Sequence, residues 1–298
     1  MPERTLCVGA TGAQGGSVAR ALLRGGRGVR ALTRDVHSAA AKDLAQRGAQ
    51  VVQGDLMDLA QLTSAMEGCD SVFGVTNFWE HFGCEISHGK NLVDAAIQAR
   101  VPHLVLSTLP SAEALSHGQI SVPHLESKAA IEAYARKSNV SVTFVHVAFY
   151  FENFLTWFPP RPDQAGTLSF GFPQGTTPLA AVAVEDIGPV VARILTERGR
   201  YLGATVGVVG DELRGDQYAA ELTRVLEREV RYTHIEREDY ARLPFAAADD
   251  LAAMFDLNRR FLLTRNPEIQ QTRSLHPDAL PFSAWAWKNR AQLRAACL

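Results

Sequence analysis

The sequence has few cysteines and no long apolar run. Only four of its 298 residues are cysteine. Cys7, Cys69, Cys84 and Cys297 are scattered, and no two of them have the C-x-x-C spacing of a zinc or redox motif. This scatter argues against a disulfide framework and favours a reducing compartment. Because the chain starts with polar residues and has no apolar run of membrane-spanning length, we expect a cytoplasmic or nuclear protein without a membrane anchor.

An excess of charge is also missing. Lys and Arg number 30, Asp and Glu number 32, and the formal net charge is −2. Such a chain has no general attraction for nucleic acid or for an anionic membrane, so we expect neither as a partner. The G-x-S-x-G motif of a nucleophile elbow is absent. The histidines show no metal-ligand spacing, so no metal site is predicted, and His81 and His88 are interpreted as a solvated pair in a loop.

What the first half does contain is an alternation of short apolar runs with helical segments. This alternation is typical of a parallel sheet with helices on both faces. Strands are predicted near residues 6–8, 29–33, 50–53, 71–76, 103–107 and 142–147. Helices are predicted over residues 15–23 and 85–99. The carboxyl ends of such strands lie along one crevice, where ligand contacts are expected.

A glycine-rich turn lies between the first predicted strand and the first predicted helix, in LCVGATGAQGGSVARALL. Gly9, Gly12 and Gly15 have the spacing GxxGxxG, rather than the GxGxxG of many dehydrogenases. Glycine lets the backbone bend and approach a ligand closely, and the N–H groups at the start of a helix attract a pyrophosphate. The alternative is a tight strand-to-helix turn that holds no ligand.

Arg34 follows the second predicted strand, in VRALTRD. NAD sites usually have a carboxylate here for the ribose 2′-hydroxyl, whereas an arginine accommodates the 2′-phosphate of NADP. The residue therefore favours NADP(H), through a charge-assisted contact worth about 1.5–3 kcal/mol. The alternative is a solvated arginine at the end of a strand. Asp35, which is next to it, either repels the phosphate or accepts a hydrogen bond from a ribose hydroxyl.

The second half is less regular. A turn-rich region begins near residue 154, followed by a helix at 185–196, a strand at 205–209, helices at 215–229, 248–263 and 282–293, and a strand at 230–235. The sequence thus predicts an α/β, Rossmann-like, doubly wound parallel sheet with a smaller interleaved C-terminal α+β domain. The NADP-binding domain is expected at 1–153 and about 184–210, and the substrate or partner domain at about 154–183 and 211–298. Trp285 and Trp287 are expected to dock the last helix.

Several further motifs accompany the glycine loop. They are the TRD turn, VVQGDLMD, VTNFWE and FYFENF, and later LTRVLEREV, EDYARLPF and DLAAMF. As a set they resemble the NmrA-like family, whose members are atypical short-chain dehydrogenases/reductases, and the likeness extends over nearly the whole chain. The glycine loop alone is not specific. The resemblance implies a cytosolic protein that binds NADPH and senses its level.

The resemblance also implies cofactor contacts at matching positions. The pyrophosphate would lie over Gly9, Ala10, Thr11, Gly12, Ala13 and Gln14, and the 2′-phosphate would meet Arg34. The adenine would be bordered by Asp55 and Leu56, and the nicotinamide-ribose side by Thr76, Asn77 and Phe78. The ribose hydroxyls would be bound by Lys128, and the nicotinamide end would be closed by Tyr150, Phe151, Glu152 and Asn153.

Two departures from the family pattern affect this site. Where relatives continue after the arginine with further basic residues, this chain has Asp35, Val36, His37 and Ser38, which weakens its attraction for the 2′-phosphate. Ala148 replaces a proline, so the closing loop is expected to be less rigid.

The catalytic tyrosine of the superfamily is absent. Reductases place it four residues before the lysine, and here that position is His124, with Ser107 retained at the end of the fifth strand. Loss of a positioned general acid typically lowers a rate by about 10²–10⁴-fold. We therefore expect no catalytic residue and a binding protein that responds to NADPH and NADP⁺ through conformation and oligomeric state. The alternative is an NADPH-dependent reductase, acting on a quinone or carbonyl, that uses Lys128.

Partners are implied by the resemblance alone. It implies a homodimer, and protein partners such as argininosuccinate synthetase or transcription regulators. Nothing in the residues themselves indicates a particular partner. The loops expected to respond to the cofactor are those around residues 34–38, 78–86 and 150–160.

Overall fold

The structure, a computed structural model, describes residues 3–80, 83–163, 166–262 and 264–297. The described chain divides into two compact units. The first contains the residues up to Pro110 together with His124–Val147 and Val184–Gly207. The second contains Ser111–Pro123, Ala148–Ala183 and the residues from Val208 onward.

The strands are short and occur in both units. In chain order they are β1 (Arg4–Cys7), β2 (Gly28–Thr33), β3 (Gln50–Gln53), β4 (Ser71–Val75), β5 (Leu104–Thr108), β6 (Val142–Val147), β7 (Phe149–Tyr150), β8 (Arg161–Pro162), β9 (Leu168–Phe172), β10 (Leu179–Val182), β11 (Thr205–Val208), β12 (Asp211–Leu213) and β13 (Val230–His234).

The helices alternate with the strands in the first half and dominate the last third. They are α1 (Ala13–Arg24), α2 (Ala39–Gln46), α3 (Leu59–Met66), α4 (Glu85–Gln98), α5 (Ala112–Leu115), α6 (Pro123–Lys137), α7 (Val184–Thr196), α8 (Arg198–Tyr201), α9 (Gly215–Leu226), α10 (Arg237–Tyr240), α11 (Ala248–Phe261), α12 (Asn266–Leu275), α13 (Phe282–Lys288) and α14 (Arg290–Ala296). A 3₁₀ turn covers Phe151–Phe154.

The first unit is built on a seven-stranded sheet in the order β11-β6-β5-β4-β1-β2-β3. In this sheet order, each strand from β6 to β3 pairs in parallel with its neighbour. Chain order runs one way from β1 through β2 to β3, and the other way from β4 to β6, so the direction reverses between β1 and β4. This is the doubly wound α/β sheet that the sequence predicts, and ligands in such sheets bind beside the reversal.

Apolar burial explains why these segments form the first unit. The side chains of β4 and β5 are buried almost without exception, as expected for strands covered on both faces. One side of the sheet carries a core that includes Leu6, Val72 and Leu106, which pack with Leu92 of α4 and Ile131 of α6. The crossover helices therefore hold the carboxyl ends of the strands in a fixed arrangement.

The second unit has two small sheets and an aromatic core. Strand β10 pairs antiparallel with β12 and parallel with β7, while β9 pairs parallel with β13 and antiparallel with β8. Its core joins Phe154, Phe172, Tyr218, Phe255 and Phe282. The rings of Phe172 and Phe255 stack with centroids 4.6 Å apart. Such ring contacts add to the burial of apolar area.

The unit boundaries differ from those expected from the sequence. Residues 111–123, 148–153 and 208–210 belong to the second unit. Helix α5 packs against α11, the ring of Phe149 contacts Phe172 and Phe255, and the N–H of Val209 donates to Thr272. The turn-rich region after residue 154 contains the three strands β8, β9 and β10, which were not predicted.

The last predicted helix is interrupted. The expected helix 282–293 breaks at Asn289, where the backbone angles (φ −99°, ψ 17°) leave the helical range. Both the N–H and the side-chain amide of Asn289 donate to the carbonyl of Trp285 at 2.9 Å. Of the two expected docking residues, Trp285 is buried in the core, whereas half of Trp287 is exposed. Part of the predicted helix 248–263 falls on residue 263, which lies outside the described residues.

Candidate functional site

The candidate site lies where the strand order reverses, in the turns that follow β1, β2 and β4. Because β1 lies between β2 and β4, the turn after β1 has one neighbouring turn on each side. The glycine turn therefore lies between the segment that begins at Arg34 and the segment that begins at Thr76. All three segments belong to the first unit.

The three glycines of the turn occupy positions with different structural requirements. Gly9 has a φ of +65°, which side chains rarely tolerate, and its carbonyl accepts the N–H of Gly12 at 2.9 Å. A Cβ atom on Gly15 would lie 2.3 Å from the carbonyl oxygen of Gly9, so helix and turn approach closely only with glycine there. Gly12 is exposed and precedes the first residue of α1. These are the roles of the glycines in a dinucleotide-binding turn, and the turn fits a pyrophosphate.

Helix α1 is held in place by helix α7. The hydroxyl of Ser17 donates to the carbonyl of Glu185 at 3.3 Å and accepts the N–H of Gly188 at 3.0 Å. A Cβ atom on Gly188 would lie 2.3 Å from the carbonyl oxygen of Ser17, which makes this a close helix–helix crossing. Helix α7 therefore supports the N-terminal half of α1, which follows the glycine turn.

Arg34 forms an ion pair that the sequence did not indicate. Its Nη2 atom donates to Oε1 of Glu80, in the segment after β4. Both side chains are about half exposed, at 51% for Arg34 and 46% for Glu80. Its backbone carbonyl accepts from the side chain of Gln53 in the neighbouring strand β3. Arg34 thus follows the strand next to β1 and is engaged with a carboxylate, and its contact with a 2′-phosphate stays a prediction.

Glu80 also binds Asn77. Its second oxygen, Oε2, accepts from Nδ2 of Asn77 at 3.2 Å, and Oδ1 of Asn77 accepts the N–H of Trp79 at 3.2 Å. One carboxylate thus joins the arginine after β2 to the segment after β4.

Asp55 and Leu56 follow β3, the strand beside β2. The carboxylate of Asp55 accepts the N–H of Met57 at 2.8 Å and is exposed, and the carbonyl of Leu56 accepts from Nδ2 of Asn91 at 2.8 Å. These contacts fix the turn after β3 without burying the Asp55 carboxylate.

Lys128 is the centre of a buried polar cluster. Its Nζ atom donates to the carbonyl and the hydroxyl of Thr76, both at 3.1 Å, and to Oε1 of Glu85 at 2.5 Å. Thr76 in turn donates to Glu85 at 2.7 Å, and Ser127 donates to the other carboxylate oxygen. The exposed fraction is 12% for Lys128 and 1% for Glu85. An ammonium group has three N–H donors, and these contacts engage all three.

His124, at the position where the resemblance would place a catalytic tyrosine, is buried beneath aromatic side chains. Its ring lies 5.0 Å from that of Trp79 and 6.1 Å from that of Phe78, between centroids. Tyr134 donates its hydroxyl to Asp94 at 2.7 Å, and this hydrogen bond is the main cause that raises the pKa of the phenol. His124 therefore packs against aromatic rings, and the hydroxyl of Tyr134 is engaged by Asp94, both within the first unit.

Tyr150, Phe151, Glu152 and Asn153 belong to the second unit. Tyr150, in β7, pairs with Val182 of β10, and Phe151 is buried against Phe282 and Trp285. The indole of Trp285 donates to Glu152 at 3.2 Å. Within its own unit, this predicted closing segment is therefore anchored to the aromatic core, and its proposed contact with the nicotinamide stays a prediction.

Three polar residues of the site escaped the sequence analysis. Glu80 stands in the VTNFWE motif, and its position in the turn after β4, beside the glycine turn, was the signal that could have indicated it. Glu85 and Ser127 carried no such signal, because a glutamate at a helix start and a serine before a lysine are usually exposed. Their burial depends on the packing of α4 against α6.

Other candidate features lie away from this edge. A cavity of about 310 Å³ is lined by residues such as Ala21, Arg27 and Ala192, toward the far end of α1. Within the described ranges, no three His, Cys, Asp or Glu side chains converge as metal ligands. His88 is buried on α4, so its expected place in a solvated pair was wrong; His81 lies outside the described residues. Among the helices of the described chain, none has the length and apolarity required to cross a membrane.

Comparison with known proteins gives one family. The sequence model of the NmrA-like family matches residues 1–287. The NmrA-like family domain-containing oxidoreductase FrzB of a Cladobotryum species is 35% identical, over 76% of this chain and 74% of that protein. The NmrA-like family domain-containing oxidoreductase hkm9 of Aspergillus hancockii is 33% identical, over 87% of this chain and 84% of its own.

Solved structures share the fold over nearly the full length. NmrA, a negative transcriptional regulator crystallised with NADP, superimposes with a TM-score of 0.85 at 22% identity, covering 99% of this chain and 98% of that one. The NADPH-dependent quinone oxidoreductase QOR2 of Escherichia coli, complexed with NADPH, gives a TM-score of 0.81 at 23% identity, covering 97% and 99%. At these identities the likeness concerns the fold alone.

Proposed function

Because the chain belongs to the NmrA-like family, we propose that it binds NADP(H) at the carboxyl edge of its parallel sheet. The support is the glycine turn, in which Gly9, Gly12 and Gly15 have the backbone roles of a pyrophosphate-binding turn, with Arg34 beside it. The pyrophosphate meets the N-terminus of α1, and the 2′-phosphate meets Arg34. We propose a cytoplasmic location, with the nucleus as a second candidate.

The remaining cofactor contacts follow the order of the strands. Asp55 and Leu56, after β3, border the adenine, and the segment 76–78, after β4, lines the nicotinamide ribose. Lys128 would donate to a ribose hydroxyl in place of one of its two contacts with Thr76, and would keep its ion pair with Glu85. The contact of residues 150–153 with the nicotinamide stays a prediction.

The role that this site supports best is regulatory, and the hydrogen bonds of Lys128 carry this conclusion. A reductase needs an N–H donor directed at the substrate carbonyl, whereas the three N–H donors of this ammonium group are engaged by Thr76 and by the buried carboxylate of Glu85. His124 is covered by Trp79 and Phe78. The chain thus supports cofactor binding through Lys128 better than it supports proton transfer.

As a sensor, the protein responds to the ratio of NADPH to NADP⁺. Such a response requires that the cofactor bind two conformations or two oligomeric states with different affinity. We propose that the segments around residues 34–38, 78–86 and 150–160 change conformation, and that a homodimer and protein partners detect the change. Residues 81 and 82 of the second segment lie outside the described residues.

A second candidate is an NADPH-dependent reductase of quinones or carbonyls. It is favoured by the relatives named oxidoreductases and by the fold shared with a quinone oxidoreductase. When bound, NADPH would supply a hydride to the substrate. In this chain Lys128 would then have to release one hydrogen bond and donate to the substrate carbonyl.

Calorimetric titration with NADPH, NADP⁺ and NADH tests the binding proposal. We expect both phosphorylated cofactors to bind at least tenfold more tightly than NADH, because only they carry the group that Arg34 recognises. A difference between NADPH and NADP⁺ would support sensing. Equal binding of NADH, or no binding, would contradict the assignment.

NADPH consumption with a panel of quinones and carbonyls separates the two roles. A regulator gives no turnover in the wild type. Turnover that Lys128→Ala abolishes would favour the reductase. The matched control is Lys137→Ala, which removes an exposed lysine from the same helix α6 and should change neither turnover nor binding.

A further inference from the structure

Glu80 and Arg34 form an ion pair across the edge of the sheet where we propose that the cofactor binds. Arg34 follows β2 and Glu80 belongs to the segment after β4, and these two strands flank β1. Neighbouring strands lie about 4.8 Å apart, so the ends of β2 and β4 are separated by about 10 Å. The ion pair between Arg34 and Glu80 bridges this separation beside the glycine turn.

The carboxylate is held at both oxygens. Oε1 accepts from Arg34, and Oε2 accepts from Asn77 at 3.2 Å. A phosphate that binds Arg34 must therefore either share the guanidinium with Glu80 or replace it. Sharing is unfavourable because it brings the dianion of a ribose 2′-phosphate beside a carboxylate.

The exposure of the pair makes replacement feasible. Both side chains are about half exposed, and exposed ion pairs are stabilised by no more than about fivefold over their separated arrangement. A phosphate offers Arg34 a higher charge and more acceptor oxygens than a carboxylate does. The phosphate can therefore displace Glu80, at the expense of part of its own affinity.

We propose that Glu80 is a specificity-determining residue that competes with the 2′-phosphate for Arg34, and so lowers the affinity for NADP(H) relative to NAD(H). NADH carries no phosphate at this position and does not compete for Arg34. Release of Glu80 also breaks its hydrogen bond with Asn77, so binding of the 2′-phosphate would change the contacts of the segment after β4. This inference rests on the proposed function, since it requires NADP(H) to bind beside Arg34.

The test compares Glu80→Gln with the wild type in titrations with NADPH and NADH, and with adenosine 2′,5′-bisphosphate and 5′-AMP. The last two isolate the 2′-phosphate from the nicotinamide. We expect Glu80→Gln to bind NADPH and the bisphosphate about two- to fivefold more tightly, and NADH and 5′-AMP with unchanged affinity. Arg34→Ala should remove this gain, so that Glu80→Gln has no effect in that background.

Asp43→Asn is the matched control. Asp43 forms an ion pair with Arg47 on α2, and the two side chains are 46% and 52% exposed, nearly the values of Glu80 and Arg34. Removing this charge should change none of the four affinities. An equal gain in Asp43→Asn would show a general effect of net charge and would overturn the inference.

Three further results would contradict it. The first is an unchanged NADPH affinity in Glu80→Gln, the second an equal rise in NADH affinity, and the third a gain in NADPH affinity that persists in the Arg34→Ala background. In each case, NADP(H) binding by the wild type would leave the proposed function intact. If neither the wild type nor Glu80→Gln bound any of the four ligands, the proposed function itself would fail, and this inference with it.

Discussion

Two ion pairs of the candidate site invite comparison, because both take their carboxylate from the chain after β4. Glu80 pairs with Arg34, and the two are about half exposed. Glu85 pairs with Lys128, and both are largely or fully buried. Glu80 and Glu85 are five positions apart in the sequence, yet the first carboxylate is in contact with solvent and the second is buried.

The difference indicates which pair can be exchanged for a ligand. An exposed pair is screened by water and contributes little to stability, so another anion can replace it. A buried pair has lost the hydration of both charges, and it persists only if further hydrogen bonds compensate. Thr76 and Ser127 supply these bonds around Glu85. Lys128 and Glu85 therefore form a fixed support, whereas Arg34 and Glu80 form an exchangeable contact.

Breaking the buried pair should have the largest effect. Lys128→Met leaves the Glu85 carboxylate buried without its counter-ion, and we expect the free energy of unfolding to fall by about 3–5 kcal/mol. Glu85→Gln should be similarly costly. The double variant should lose clearly less than the sum of the two, as measured by urea denaturation. Additive losses would show that the two charges do not stabilise each other.

A third carboxylate, Glu132, sharpens the comparison because its burial is intermediate, with 14% of its side chain exposed. Burial raises its pKa, but hydrogen bonds from His146, Thr108 and Arg136 outweigh this and lower the pKa to about 2. The unfolded chain therefore binds the proton more readily. The stabilisation is full above about pH 5 and is lost as the pH falls toward 2, with a total on the order of 3 kcal/mol.

Thermal unfolding between pH 3 and pH 7 measures this effect. In Glu132→Gln the fall in melting temperature toward low pH should be smaller than in the wild type. Glu67→Gln changes an exposed glutamate and should keep the wild-type profile. Parallel profiles for Glu132→Gln and the wild type would contradict the assignment of this pH dependence to Glu132.

Removing the exchangeable cation should affect binding rather than folding. Arg34→Ala should weaken NADPH binding by about 1.5–3 kcal/mol, or roughly 10- to 100-fold, because the charge-assisted contact with the 2′-phosphate is lost. NADH binding should change little. Calorimetry with both cofactors checks this, and an equal loss for NADH would indicate that the whole turn had been disturbed.

Breaking the exposed pair from the other side should have the smallest effect on stability. Glu80→Gln should change the free energy of unfolding by no more than about 1 kcal/mol, within the usual range of exposed ion pairs. The same urea denaturation used for Lys128→Met measures it directly. A loss as large as that of the buried pair would remove the distinction between a fixed and an exchangeable contact.

Much of the first unit could be predicted from local patterns. The strands β2, β3 and β6 lie within a residue of their expected positions, since apolar runs bounded by turns determine buried parallel strands. The second unit was harder, because its strands are short and gain their stability from an aromatic core assembled from distant segments. The break at Asn289 is a departure of one residue from helical backbone angles, which the apolar spacing of the segment does not indicate.

The sequence by itself determined the alternation of strands and helices, the glycine turn with its following helix, and the presence of an arginine after the second strand. These depend on spacing and backbone conformation, which are local properties. Only the tertiary structure decided what the charged residues contact: that Arg34 meets Glu80, and that Lys128 is enclosed with Glu85, Thr76 and Ser127. The reason is that burial and ion pairing depend on which distant segments pack together, and sheet order, not distance along the chain, brings those segments into contact.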